Sequence, residues 1–91
     1  MTKKEAMKSL KEHGTIHLSY EDGIACQEEL ITIGVDTDLV RRSLFQVDYL
    51  SRCIAWDEED KHEEFEMEYS ELTSHLDKFD LDYEIGGIVH F

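Results

Sequence analysis

Apolar and polar positions change period repeatedly along this chain, and each period predicts an element. In KKEAMKSLKEH, residues 3–13, Ala6, Met7 and Leu10 fall on one side at helical spacing. Thr2 stands where an N-cap belongs, Glu5 three residues on completes a capping box, and Gly14 supplies a stop. Residues 15–20, TIHLSY, then alternate, with Ile16, Leu18 and Tyr20 on one face and Thr15, His17 and Ser19 on the other. That pattern predicts a half-buried strand. Glu21-Asp22-Gly23 carries turn chemistry, because glycine takes positive φ without strain. Residues 24–33 fit either a helix or the second arm of a hairpin, and both stay open. Beyond Gly34, Asp36 or Thr37 can cap a helix that begins near Asp38 and keeps Val40, Leu44, Val47, Leu50 and Ile54 on one stripe. Phe45, Val47 and Tyr49 would alternate on a strand instead, so 38–51 also holds two patterns.

The following stretch is ambiguous in the same way. EFEMEY sets Phe65, Met67 and Tyr69 against Glu64, Glu66 and Glu68 in strict alternation, while Phe65, Tyr69, Leu72, Leu76 and Phe79 form a helical stripe. Met67 falls off that stripe, which favours the strand. The expectation is therefore a hairpin of 53–57 with 63–69, then a helix 71–79 capped by Ser70, then a strand near 81–91 bent at Gly86-Gly87. Ile88, Val89 and Phe91 predict a packed C-terminal segment. These elements make one small α+β domain, residues 1–91, with a mostly antiparallel sheet and two to three helices.

Charge changes this picture by its distribution. The chain carries a net −13, and residues 57–84 hold thirteen acids against Lys61 and Lys78, a net −11 of that total. Large apolar residues recur through the same stretch, so it reads as folded structure with an anionic face and not as a disordered acidic tail. Such a balance excludes direct binding to nucleic acid or an anionic membrane, both of which need a positive footprint. No apolar run is long enough to span a bilayer, and MTKKEAMKSLKEHG lacks the apolar stretch of a secretory signal, so a cytoplasmic protein is expected. Cys26 and Cys53 are then reduced, small apolar residues.

Candidate chemistry adds little. Neither CxxC nor HExxH is present, DEEDKHEE lacks the order and central glycine of a calcium loop, and no phosphate-binding or nucleophile-elbow motif occurs. Hence no catalytic, metal or cofactor residues are assigned, and no enzyme is expected. On a strand, Glu64, Glu66 and Glu68 would stand about 6.6–6.8 Å apart in a row comparable to phosphates along a nucleic-acid strand. Neighbours at that distance repel by roughly 0.6 kcal/mol in water, about half that at physiological salt. A basic partner would relieve this cost.

The expected function is therefore a small acidic inhibitor that occupies the basic groove of a nucleic-acid-binding protein by mimicking nucleic-acid charge. Phage and mobile-element counter-defence proteins, such as anti-CRISPR or anti-restriction inhibitors, are the class this describes. The expected contact residues are Asp57, Glu58, Glu59, Asp60, Glu63, Glu64, Glu66, Glu68 and Glu71. An immunity protein or antitoxin that neutralises a basic toxin, such as a nuclease, is the alternative with the same electrostatics.

Overall fold

The computed structural model describes residues 1–21 and 23–88. Helix α1, Lys3–His13, begins where the Thr2 hydroxyl accepts from the Glu5 amide at 3.2 Å and ends at Gly14, φ +79°. Strand β1, Ile16–Ser19, buries Ile16 and Leu18 and exposes His17, as its alternation predicts. The ambiguous segment 24–33 divides between both patterns: β2 is Gly23–Ile24 and α2 is Gln27–Ile33. Gly34 closes α2 in the left-handed region, φ +101°, with its amide donating to Ile31 O at 3.0 Å. Helix α3, Thr37–Ala55, is capped by Asp36, whose carboxylate accepts from the Leu39 amide at 3.1 Å. A 3₁₀ turn, Glu59–Lys61, leads into α4, His62–Leu76, and β3 is Tyr83–Ile85.

The class is α+β, but helix dominates it. Four α-helices and a three-stranded sheet of order β2-β1-β3 stand among the described residues. β2 pairs antiparallel with β1, whereas β3 pairs parallel to it, Ile16 with Tyr83 and Leu18 with Ile85. The expected mostly antiparallel sheet is thus a small mixed one. β1 lies in the centre, and its buried Leu18 meets Leu10 of α1, Leu30 of α2, Leu44 of α3 and Leu72 and Leu76 of α4 in one apolar cluster.

The expected hairpin of 53–57 with 63–69 is not formed. Residues 53–55 end α3, and 63–69 belong to α4, which runs unbroken through Ser70, the residue expected to cap a separate helix. Met67, assigned to the core by the strand reading, is 67 % exposed; Tyr69 is exposed and Phe65 half-buried. Two causes favour the helix. Glu and Met are good helix formers and indifferent in strands. The long buried face of α3 (Val47, Leu50, Ile54) also offers α4 a partner for its helical stripe, whereas a 53–57 strand would be too short to do so. Tyr20 is likewise exposed, because β1 ends one residue before it. In the C-terminal segment the strand stops at Ile85, with Gly86 outside it. The expected packing of Val89 and Phe91, and Asp22 of the turn, lie outside the described residues.

Polar contacts fasten the start of α3 and the end of α4. The Asp36 amide donates to His75 Nε2 at 3.0 Å, joining the start of α3 to the last turn of α4. Just beyond α4, the Tyr83 hydroxyl donates to the Asp77 carboxylate; burial first, and then that bond, push the phenol pKa up to about 12. One buried group is left over. Ser43 Oγ, inside α3, has no hydrogen-bond partner among the described residues. Ser43→Ala removes an unsatisfied buried hydroxyl and adds helix propensity, so it is expected to stabilise the protein by about 1 kcal/mol. A higher urea midpoint at unchanged slope is the result expected; a lower midpoint would show that the hydroxyl is satisfied.

Candidate functional site

The acidic stretch is held by an antiparallel helical hairpin. Helix α3 is about 28 Å long at 1.5 Å per residue, and only its first half, through Val40 and Leu44, joins the main core cluster. Its second half buries Val47, Leu50, Cys53 and Ile54 beyond that cluster. Leu72 and Leu76 anchor the far end of α4 in the core, so the chain reverses at the end of the hairpin away from the sheet. The molecule is correspondingly long, 46 × 19 × 17 Å.

The reversal is built by three successive devices. Trp56 donates its amide back to Arg52 O and Cys53 O, Asp57 takes φ +69°, and the Glu58 amide returns to Cys53 O at 3.1 Å. Glu59–Lys61 then makes one tight turn into α4. Asp57, Glu58, Glu59 and Asp60 are therefore all exposed on this turn. Acids in the first turn of α4, Glu63 and Glu64, lie at the positive end of its dipole, a placement worth about 0.3–1 kcal/mol each at low salt. Lys61 is half-buried and pairs with Glu64 at 3.8 Å.

Along α4 the remaining acids do not form the flat row that a strand would give. Glu64, Glu68 and Glu71 follow at i, i+4 and i+7 on one flank, with Glu68 half-buried toward the helix interface. Glu63 and Glu66 occupy the other flank, and Met67 lies between the two. Glu63, Glu66, Met67, Ser70, Glu71 and Ser74 line one shallow, open depression on the outer face. Eight of the nine expected contact residues are thus exposed and contiguous over the turn and the outer face, and Glu68 stands apart from them. Glu64 is about 6 Å along the axis from Glu68 and Glu66 is turned to the opposite flank. The anionic surface survives the change from strand to helix, while its linear register does not.

Both cysteines are free thiols; Cys53 is buried, Cys26 half-buried. Burial pushes the Cys53 thiol pKa up, and a hydrogen bond with the Glu58 carboxylate adds to the rise. That is the reverse of what activates a nucleophile. Among the described residues, no three His, Cys, Asp or Glu side chains converge as a metal site would require. No helix among them is long and apolar enough to cross a membrane.

Sequence reasoning overlooked one feature of this hairpin. Phe45 and Tyr49 on α3 and Trp56, its C-cap, are exposed at i, i+4 and i+11, and Tyr20 meets Phe45 edge-on with ring centroids 5.2 Å apart. Their spacing is a helical signal hidden by the competing Phe45-Val47-Tyr49 alternation. Comparison with protein-family models, with curated proteins and with solved structures returns no match for this chain.

Proposed function

We propose that this protein is an acidic inhibitor that binds the basic nucleic-acid-binding groove of a target protein and excludes nucleic acid from it. The observation that carries the reading is the contiguous exposure of Asp57, Glu58, Glu59, Asp60, Glu63, Glu64, Glu66 and Glu71 around one end and one face of a helical hairpin. Lys61 pairs with Glu64 within that surface, and its other acids are exposed to a partner. A convex, rigid rod of negative charge suits a groove shaped for a nucleic-acid strand. Charge of this density also steers a cationic partner into contact, raising the association rate at low salt. Each carboxylate on the helix has a neighbour of like sign three or four residues away, which costs the free protein a few tenths of a kcal/mol per pair. Binding to lysines and arginines removes that cost. The target class fitted by this chemistry includes nucleases and other effectors of defence against phages.

The test is capture of a target from a bacterial lysate at low salt, followed by binding with the purified pair. Replacing Glu63, Glu64, Glu66 and Glu71 by Gln keeps shape and helix propensity but removes four charges. Affinity for the target should fall by about tenfold or more and depend less steeply on salt, and nucleic acid should compete with the parent protein. Glu5→Gln with Glu12→Gln, on α1, is the control and should change little. A target that holds the fourfold variant as tightly as the parent, or that binds nucleic acid simultaneously without loss, removes the mimicry reading.

A further inference from the structure

Helix α3 turns a second surface to solvent that the acidic face does not explain. Opposite its buried stripe, Phe45, Tyr49, Arg52 and Trp56 succeed one another at i, i+4, i+7 and i+11, forming one ridge. Its rings are well exposed, Phe45 44 %, Tyr49 52 % and Trp56 79 %, and Tyr20 extends it past Phe45. Aromatic residues with arginine are the composition of interface centres, where lysine and acids are scarce.

Charge along the ridge is polar. Asp38 is exposed in the first turn, Arg41 and Arg42 are exposed one turn further on, with Arg41 also donating to Gln27 Oε1, and Asp57, Glu58, Glu59 and Asp60 follow Trp56 at the end. Between them, Arg52 is already held by Asp48 at 3.1 Å and by Glu21 at 3.4 Å. A surface that is basic at one end, aromatic along its length and acidic at the other end complements its own reverse. Its midpoint, between residues 41–42 and 57, is Tyr49.

We propose that a second copy of this chain covers the ridge, α3 against α3, antiparallel about a two-fold axis at Tyr49. Such a contact is isologous, so every pairing occurs twice. Trp56 of each copy lies over Arg42 of the other in a cation–π contact, and Arg41 of each faces Asp57 and Glu58 of the other. The span from residue 42 to residue 56, about 21 Å along the axis, matches itself in reverse by construction. Size is adequate as well. The exposed portions of four aromatic rings amount to roughly 400 Å² per copy; doubled, and widened by the arginines on their flanks, the contact reaches about 1,200 Å², where specific interfaces begin. The outer face of α4 lies on the other side of the hairpin, so the dimer keeps Glu63, Glu64, Glu66 and Glu71 open while it engages Asp57 and Glu58 of the turn.

Sedimentation equilibrium of the full chain tests this. A reversible dimer with a Kd of roughly micromolar order is expected, since the interface is at the small end of its class. Trp56→Ala and, separately, Tyr49→Ala should raise Kd by about tenfold or more, while the far-UV circular dichroism stays that of the parent. Arg41→Glu should also weaken the dimer. Adding Asp57→Arg and Glu58→Arg to it should restore the dimer, a rescue that a merely structural defect would not show. A protein that stays monomeric at about 200 µM overturns the proposal. So does a dimer that survives Trp56→Ala, or one that the reversed charges fail to rescue.

Discussion

Leu72→Ala is expected to destabilise the protein by about 3–4 kcal/mol, within the usual range for a leucine truncated in a well-packed core. Leu72 is fully buried in the last turns of α4, where it meets the cluster formed by α1, β1, α2 and α3. Truncation leaves a cavity bounded by several separate elements, none of which can move into it without losing its own contacts. With a urea slope of about 1 kcal/mol/M for so small a domain, the midpoint should fall by roughly 3 M. Met67→Ala, five residues earlier on the same helix and largely exposed, is the internal comparison and should change stability by under about 0.5 kcal/mol. A Leu72→Ala protein within about 1 kcal/mol of the parent would mean that α4 is not anchored in the core as described.

The second large effect comes from the backbone. Glu66 is exposed in the interior of α4, so Glu66→Pro touches no packed side chain. It nevertheless removes the amide that bonds one turn back and drives the ring against the carbonyl of residue 62, at a cost of about 3 kcal/mol or more. Urea denaturation with circular dichroism reads both the loss in stability and the loss of helix. Glu66→Gln is near neutral on the same assay, separating backbone from charge. If residue 66 stood at a solvent-facing edge of a strand, the proline would cost far less, and a shift of under about 1 kcal/mol would revive that reading.

Those two substitutions fall where the sequence was hardest to read. α1 was legible because its signals are local: Thr2 and Gly14 bracket it, and its apolar residues keep one period between them, whereas α3 had a cap at Asp36 but two competing periods over 38–51. β1 was legible for the same reason as α1. EFEMEY was not, because its apolar residues satisfy both periods and the choice is made by α3, residues away in sequence but adjacent in space. Met67 misled because exposure of one large apolar residue is ordinary, and a pattern read alone assigns every such residue to the core. The parallel partner of β1 was illegible too, since β3 has only three residues and its pairing direction depends on where α4 ends. At the candidate site, exposure followed from charge alone, so the acidic surface was found. Its linear arrangement depended on the strand and was lost with it.

The register of β1 against β3 carries a consequence for the order in which the chain folds. It joins residues 16–18 to 83–85, whereas α3 and α4 meet through a connection of a few residues. Loop-closure entropy grows with the separation of the segments joined, so a contact between such distant segments is the costlier to form early. The helical hairpin can zip from its turn with little such penalty, in the manner of other low-contact-order structures. The barrier is then crossed as the helices condense, and β3 is captured by β1 afterwards. Substitutions in the β3 pairing should speed unfolding and leave the folding rate nearly unchanged, the kinetic mark of an element that forms after the barrier is crossed.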